Sequence, residues 1–307
     1  MGDVSDGGYA FMKKKVISVL LTTVMACAAL AGCGSSAGET EATQTEAKTQ
    51  EESAKTEESQ DAENTAETEQ AGDEADGDTF TVGFDQDLPP MGFVGEDGEF
   101  TGFDLDLAAE VAERLGKEVV YQPIAWDAKD MELDSGTIDC IWNGFTMNGR
   151  EDDYTWSEPY MKNNQVFVVK ADSGISSSAD LAGKIVDVQV DSSAEAALND
   201  NAELTGTFGQ LIPVADYNTA FMDLESGAVD AIAMDDVVAK YQIEKRGVDF
   251  IVLDEAIAEE EYGIGFKKGN EQLRDQVQAT LEEMAADGTL AEISTEWFGE
   301  DITTIGK

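Results

Sequence analysis

The stretch LDSGTIDCI at residues 133–141 returns as LESGAVDAI at residues 224–232. In both copies an apolar helical pattern ends at a Ser-Gly pair, and a short apolar strand follows directly. The run 80–84 also predicts a strand, and the apolar positions of 103–115 fall on one helix face. This alternation is typical of α/β folds with largely parallel sheets, and the repeat predicts two similarly built lobes.

Further elements follow from the same patterns. A strand is predicted over 119–124, and two closing helices are predicted over 271–286 and 289–298. The helix over 103–115 is expected to end at Gly116, because glycine is the common residue just past a helix C-terminus.

Composition excludes several classes of function. The 307 residues include 19 Lys and Arg against 65 Asp and Glu, a net charge of -46, and no His. A charge of this sign repels phosphate backbones, so binding to nucleic acid through a basic face is not expected. Without His, the chain has no Ser-His or Cys-His nucleophile pair and no His-ligated zinc. Neither a metal nor a cofactor is predicted.

The N-terminal segment has the pattern of an export signal. Three lysines at 13–15 precede an apolar run that is too short for a comfortable transmembrane helix. Leu30-Ala31-Gly32-Cys33 follows and resembles the lipobox of bacterial lipoproteins, in which the chain is cut before a cysteine that then carries a diacylglycerol. We expect residues 1–32 to be removed and Cys33 to be acylated, with palmitate as the acyl chain. An ordinary secretory signal with an incidental cysteine is the alternative. Cys140 would be the one remaining thiol, so no internal disulfide is expected.

Residues 33–78 are predicted to be a lipid-anchored, acidic, disordered linker. The segment 34–78 contains no aromatic residue and no Val, Ile, Leu or Met. Nothing can therefore offset the entropy that is lost when such a chain is ordered. As a flexible coil it would span roughly 35–40 Å, and repulsion between its charges would extend it further.

The residues after the predicted strands are candidates for a ligand site, because ligands of open α/β sheets bind beyond the carboxyl ends of strands. An arginine, two hydroxyl-rich turns and several acidic or amide groups follow four such strands: Asp85, Asn143, Gly144, Thr146, Arg150, Ser192, Ser193 and Asp235. This set complements a zwitterion. A guanidinium binds a carboxylate through two hydrogen bonds, hydroxyls and helix N-terminal amides add to anion binding, and a carboxylate offsets an ammonium.

Each of these groups also has a plain structural explanation. Ser192 and Ser193 could cap a helix N-terminus. Arg150 could form exposed ion pairs with its acidic neighbours at 151–153, which contribute little stability. Asp235 could cap the helix that follows it. Taken singly these explanations are favoured, so the zwitterion site depends on the set as a whole.

Several longer motifs resemble those of the solute-binding proteins of polar amino acid ABC importers, solute-binding family 3. They cover residues 80–299 and comprise VGFD at 82–85, PPMGF at 89–93, GFDLDLA at 102–108, SGTID at 135–139, WSEPY at 156–160, YGIG at 262–265, ADGTL at 286–290 and WFG at 297–299. GFDLDLA is the most diagnostic of them. Any one alone would be weak, but together they make the resemblance specific.

The resemblance implies an α/β, two-lobed, periplasmic-binding-protein-like (type II) fold with a hinge of two crossing strands. Lobe 1 would comprise 79–168 and 263–307, and lobe 2 would comprise 169–262. The hinge strands would lie near 165–170 and 261–266.

It also implies roles for individual residues. Arg150 resembles the arginine that holds the ligand α-carboxylate, helped by Thr146, Ser192 and Ser193. Asp235 resembles the carboxylate that binds the α-ammonium, along with main-chain groups near Asn143 and Gly144. Four residues fall where the family contacts the ligand side chain: Asp85, Leu88, Trp126 and Gln189.

Three departures from the family pattern concern the ligand site. Leu88 stands where an aromatic residue is common, which leaves Trp126 as the better candidate for a cation–π contact. The turn that begins at Asp191 reads Asp-Ser-Ser in place of the usual Gly-Thr-Thr, and an acid near a bound anion is unfavourable unless it points away. The stretch between Thr146 and Ser157 is one residue shorter than usual.

The implied function is that of an exported, lipid-anchored, monomeric receptor. It would capture an L-amino acid between its lobes and deliver it to the permease subunits of an ABC importer, without catalysis. Asp85 favours a ligand with a donor on its side chain, such as a cationic or amide amino acid. Two alternatives are a ligand-sensing surface domain and a dehydratase-like enzyme on the same fold.

Overall fold

Residues 77–307 are described by a computed structural model of the chain. The predicted signal 1–32, the lipidation site Cys33 and nearly all of the predicted linker lie outside the described residues. The strands are β1 (Thr79–Phe84), β2 (Asp87–Leu88), β3 (Gly92–Val94), β4 (Phe100–Thr101), β5 (Glu118–Pro123), β6 (Cys140–Ile141), β7 (Thr155–Trp156), β8 (Met161–Lys170), β9 (Ile185–Gln189), β10 (Gln210–Val214), β11 (Ala231–Asp235), β12 (Phe250–Val252), β13 (Ala258–Tyr262) and β14 (Gly265–Phe266).

The helices alternate with these strands in the predicted manner. They are α1 (Phe103–Leu115), α2 (Lys129–Ser135), α3 (Ser193–Asp200), α4 (Ala202–Thr205), α5 (Tyr217–Ser226), α6 (Asp236–Arg246), α7 (Glu271–Asp287) and α8 (Thr289–Phe298), with short 3-10 helices at Trp126–Ala128 and Ser178–Leu181. No helix in the described part of the chain combines the length and the apolar character needed to cross a membrane.

The first sheet has the strand order β5-β1-β6-β14-β7. Strand β1 is parallel to β5 and β6, whereas β14 runs antiparallel to β6 and β7. Helix α1 packs on β5 and β1 because Phe103, Leu107 and Val111 recur at helical spacing and are fully buried. The helix ends at Gly116, as predicted, with a φ of 70° that glycine adopts without strain. The closing helices α7 and α8 pack against α1.

The second sheet has the order β10-β9-β11-β8-β12, and β13 also pairs with β8. Strand β9 is parallel to β10 and β11, whereas β8 is antiparallel to its partners. Apolar side chains of α3 pack on one face of this sheet, and those of α5 and α6 pack on the other. A third small sheet, β2-β3-β4, follows β1 in the chain.

The chain passes between the two large sheets twice. Strand β8 enters the second sheet and β13 returns to the first, and they pair antiparallel from Met161–Gln165 to Ala258–Tyr262. Strand β8 then continues to Lys170 beside β11 and β12. The paired segments begin a few residues ahead of 165–170 and 261–266, the positions that the resemblance implies. The predicted α/β fold with two crossing strands is confirmed.

The two copies of the sequence repeat build the same turn. Helix α2 ends at Gly136, with a φ of 77°, and leads to β6, while α5 ends at Gly227, with a φ of 79°, and leads to β11. Each glycine N–H donates to carbonyls of the last helical turn. Strand β6 lies beside β1, and β11 lies beside β9. The repeat therefore places two equivalent strand ends, one in each sheet.

Candidate functional site

Residues from the carboxyl ends of β1 and β6 meet residues from the ends of β9 and β11 around one cavity. All eleven of the residues predicted from the sequence line it: Asp85, Leu88, Trp126, Asn143, Gly144, Thr146, Arg150, Gln189, Ser192, Ser193 and Asp235. The cavity has a volume of about 20 Å³, which is room for about one water molecule. It is this small because side chains from the two sheets bond to each other across it.

Arg150 lies in the loop between β6 and β7. Its guanidinium donates to the carbonyl oxygen of Thr146 at 3.3 Å and, from the second sheet, to that of Asp191 at 3.2 Å. It also lies 5.3 Å from the centre of the Phe145 ring. Among the described residues Arg150 makes no salt bridge, so the alternative of an exposed ion pair with residues 151–153 does not hold. The guanidinium faces main-chain oxygens at the edge of the cavity.

The two serines before α3 differ in role. Ser192 is the helix cap, since its hydroxyl accepts from the Glu195 N–H at 3.1 Å. Ser192 is thus the cap that the plain explanation predicts, and it also lines the cavity. The Ser193 hydroxyl instead accepts from Thr146 Oγ1 at 3.1 Å and from Gln165 Nε2 at 2.9 Å. Ser193 is thus a polar group of the cavity, bonded to the opposite side.

Asp235 ends β11 and is buried. One of its carboxylate oxygens accepts from Gln165 Nε2 at 2.8 Å, Asn163 Nδ2 at 3.0 Å and the Tyr262 hydroxyl at 2.5 Å. It does not cap α6 with its side chain, because Asn163 Oδ1 accepts the Val237 N–H instead. Burial and the neighbouring Glu260 raise the pKa of Asp235 to about 8.

Asp85 follows β1 and is held by protein donors on both oxygens. The Asp87 N–H donates to one at 2.9 Å, and Gln189 Nε2, from the second sheet, donates to the other at 2.6 Å. Burial raises the pKa of Asp85 to about 6. Leu88 and Trp126 are buried at the same cavity. Asp85 therefore lies beside apolar surface and bridges the two sheets.

Gly144 approaches the Tyr262 ring so closely that a Cβ would lie 3.2 Å from it. The backbone takes a φ of 56° there, which favours glycine. The N–H donates to buried Asp104 at 2.6 Å, and the Tyr160 hydroxyl donates to the same oxygen at 2.9 Å. Burial raises the pKa of Asp104 to about 7. Asp104 thus fixes the loop that carries Gly144.

Lys129 was not among the predicted site residues. Its side chain is 2% exposed, its ammonium lies 5.3 Å from the centre of the Trp126 ring, and it forms an ion pair with Asp191 from the second sheet. This contact settles the direction of Asp191, whose carboxylate points to Lys129. Asp191 has a φ of 58°, in the left-handed region that suits the glycine usual there. The aspartate at 191, where the family usually has glycine, is the one feature of the sequence that could have indicated a cationic partner nearby.

A second group that sequence reasoning missed lies behind Asp235. Asn163 and Gln165 on β8 both donate to Glu260 on β13, and all three side chains are buried. Nothing in the sequence singled them out, because their meeting depends on the antiparallel pairing of β8 with β13.

The arrangement combines a cation on one side with a buried carboxylate on the other. Arg150 belongs to a loop of the first sheet and Asp235 ends a strand of the second. Hydroxyls and the Asn143 side chain, whose buried amide Nδ2 is unpaired, line the same cavity. Such a set can hold a carboxylate and an ammonium on one molecule.

Residues 80–300 match the family described as bacterial extracellular solute-binding proteins, family 3. The chain belongs to this family. The match covers almost all of the described residues, and it confirms the resemblance drawn from the motifs. The two-lobed type II fold is likewise that of the solved relatives of this solute-binding protein.

Three relatives place the solute-binding protein among known structures and functions. The L-cystine-binding protein TcyJ of Escherichia coli strain K12 is 36% identical over 231 residues, which are 73% of this chain and 84% of the relative. An ABC uptake transporter substrate-binding protein from Streptococcus pneumoniae, solved with bound histidine, has a TM-score of 0.72 and 38% identity over 74% of this chain and 95% of that one. The ancestral amino acid-binding protein AncCDT-1, a precursor of cyclohexadienyl dehydratase, has a TM-score of 0.66 and 32% identity over 72% and 96%.

Proposed function

We propose that the protein is the amino acid receptor of an ABC importer. The observation that carries the proposal is the meeting of Arg150 and Asp235, from different sheets, at one buried cavity. Arg150 binds the α-carboxylate together with Thr146, Ser192 and Ser193, and Asp235 binds the α-ammonium. Relatives named as L-cystine-binding and solved with bound histidine support an amino acid as the ligand.

Capture requires the lobes to separate and close again. A cavity of about 20 Å³ is far smaller than the several hundred Å³ of typical ligand sites. The contacts Asp85–Gln189 and Thr146–Ser193 must therefore open to admit a ligand. The moving lobes are 79–168 with 263–307 and 169–262, and the paired strands β8 and β13 form the hinge. Ligand favours closure because both lobes touch it only when closed, and the permease subunits then receive the closed monomer.

The ligand has a hydrogen-bond donor on its side chain. Asp85, beside Leu88 and Trp126, would accept from a cationic or amide group in place of Gln189. The Trp126 ring, which already lies against the Lys129 ammonium, supplies an aromatic face at the same end of the cavity.

The test is a thermal-shift screen of the purified protein against the common amino acids, ornithine, citrulline and cystine. The protein is first unfolded and refolded to remove any carried ligand. A ligand at a hundred times its dissociation constant stabilises the fold by about 2.7 kcal/mol. A shift with one or a few amino acids is expected. Unchanged melting across the whole set would exclude an amino acid receptor.

A dehydratase-like enzyme is the second candidate function, favoured by the likeness to AncCDT-1. Asp85 and Asp235 are buried acids that could serve in proton transfer. The two functions predict different outcomes for the bound amino acid: a receptor leaves it unchanged, whereas a dehydratase converts it. Mass spectrometry after prolonged incubation with each amino acid that binds is expected to recover it unchanged, and a dehydrated product would favour the enzyme.

The receptor is exported and held on the outer face of the membrane by an acylated Cys33, with the acidic linker as its tether. Export accords with membership of an extracellular family. The Cys33→Ala variant is expected to leave the membrane pellet and appear in the soluble fraction, with unchanged ligand affinity. A variant that stays in the pellet would exclude lipidation at Cys33.

A further inference from the structure

Four buried polar side chains form one hydrogen-bonded cluster at the proposed ammonium site: Asn163, Gln165, Asp235 and Glu260. Asn163 and Gln165 on β8 each donate to two carboxylates, those of Asp235 on β11 and Glu260 on β13. The distances are 3.0 and 2.7 Å from Asn163 Nδ2 and 2.8 and 2.8 Å from Gln165 Nε2. The two carboxylates therefore converge on the same pair of amide donors.

Two full negative charges are unfavourable in this position. Asp235 is 6% exposed and Glu260 is 5% exposed, and no Lys or Arg of the described residues forms an ion pair with either. Like charges that share a buried site favour the form in which one of them is protonated. The raised pKa of Asp235, caused by burial and by Glu260, agrees with this.

None of the other titratable groups around this cluster forms an ion pair with Asp235 or Glu260 in the described part of the chain. Lys240 on α6 forms an ion pair with Asp236 at 2.6 Å. Lys240 and Lys162, which is on β8, line the same surface groove as Glu260. The remaining groups that face the pair are phenols or acids, apart from Arg150 across the cavity: Tyr262 on β13, Tyr217 on α5, Asp85 after β1, and Glu259 and Glu261 beside Glu260. The acids among these groups disfavour a second negative charge, whereas the Tyr262 hydroxyl, which donates to Asp235, favours the ionised form.

The two carboxylates open to different spaces. Asp235 lines the small cavity, whereas Glu260 lines a wider groove of about 660 Å³ together with Asn163. The carboxyl pair therefore contacts the groove through Glu260 and the cavity through Asp235.

We propose that Asp235 and Glu260 hold one proton between them, and that a ligand ammonium bound at Asp235 expels this proton through Glu260 into the groove. Glu260 is thus a positioning residue of the ammonium site, and the inference rests on the proposed amino acid receptor. The ammonium keeps its protons, one carboxyl O–H bond breaks, and water in the groove accepts the proton. The net charge at the Asp235–Glu260 pair is unchanged, because the arriving ammonium replaces the departing proton.

The shared proton can be tested without a ligand. At about pH 7, the infrared difference spectrum between the wild type and Glu260→Gln should contain the C=O band of a protonated carboxyl group. Glu259→Gln is the matched control, because Glu259 is the exposed neighbour on the same strand, and its difference spectrum should lack that band. A Glu260→Gln difference spectrum without a carboxyl band would overturn the proposal.

The expulsion is tested by calorimetry with L-arginine and L-glutamine at about pH 7, in two buffers that differ in ionisation enthalpy. The wild type and Glu259→Gln should release about one proton on binding and should bind about tenfold more tightly per pH unit up to about pH 8. Glu260→Gln should release none. Equal release by all three proteins would overturn the inference but leave the receptor standing. Binding of neither amino acid would instead count against the proposed ligand class, while the infrared result would still decide the shared proton.

Discussion

Arg150 is the residue on which the proposed carboxylate site depends most directly. Its guanidinium now donates to two main-chain oxygens, and these bonds are weaker than those to a carboxylate. Arg150→Ala would leave the ligand carboxylate buried without its charged partner. We expect every amino acid ligand to lose about 3 kcal/mol of binding free energy, roughly 100-fold in affinity, by calorimetry.

Arg114 provides the control for that variant. It pairs with Glu110 and Asp287, away from the cavity, so Arg114→Ala should bind normally. Unchanged affinity in Arg150→Ala would exclude Arg150 from the site.

Asp85 is expected to set the order of affinities. Its oxygens are already satisfied by Asp87 and Gln189, so a ligand competes with Gln189 for this carboxylate. Asp85→Ala should lower the affinity for cationic and amide amino acids by about tenfold or more relative to aliphatic ones, since a hydrogen bond to a charged group contributes about 1.5–3 kcal/mol. Competition calorimetry measures the order. If Asp85→Ala and the wild type ranked the amino acids in the same order of affinity, Asp85 would have a structural role and would not select the ligand.

At the scale of elements, the first residue of α2 meets the turn before α3 through the pair Lys129–Asp191. The two side chains differ greatly in exposure, at 2% and 53%. Asp191→Asn leaves a buried ammonium without a carboxylate and should cost about 2 kcal/mol of unfolding free energy. Lys129→Met leaves a half-exposed carboxylate and should cost less. The double variant should recover most of the loss in urea unfolding.

The exposed pair Lys245–Glu96, at 59% and 90% exposure, is the matched control because it also joins residues from the two halves. Lys245→Met should change stability little, since surface ion pairs contribute little. If Asp191→Asn were no more harmful than Lys245→Met, the buried pair would not stabilise the contact between α2 and the turn.

For the whole molecule, buried carboxyl groups set the dependence of stability on pH. Burial raises the pKa to about 6 for Asp85, about 7 for Asp104 and about 8 for Asp235, from the ordinary value of 3.8 for an aspartate side chain. The folded state therefore binds more protons than the unfolded state between about pH 4 and 8. The free energy of unfolding should fall as pH rises through this window, by about 3 kcal/mol or more.

Asp287 and Asp104 affect different parts of the pH dependence of stability. Exposed Asp287, with a pKa of about 2, acts in the opposite direction, but only below about pH 4. Asp104→Asn keeps an acceptor for Gly144 and Tyr160 and should flatten the decline up to about pH 7. Urea unfolding at a series of pH values measures this, and a wild-type stability that rises from about pH 5 to 8 would contradict the prediction.

The amino-acid sequence by itself determined the elements and the chemistry of their ends. Helix α1 follows from apolar spacing and ends at Gly116, and the repeat gives two helix–glycine–strand turns, because these signals are local. The residues that follow β1, β6, β9 and β11 were also predictable, since parallel strands present their carboxyl ends along one edge.

Tertiary structure alone decided how the polar groups pair. Gln189 meets Asp85 across 104 residues of chain and Lys129 meets Asp191 across 62. Asp235 and Glu260 share donors only because β8 pairs with both β11 and β13. Each pairing depends on the relative placement of two sheets and on which side chains leave water together. Burial depends on the packed whole, and no local pattern of residues encodes it.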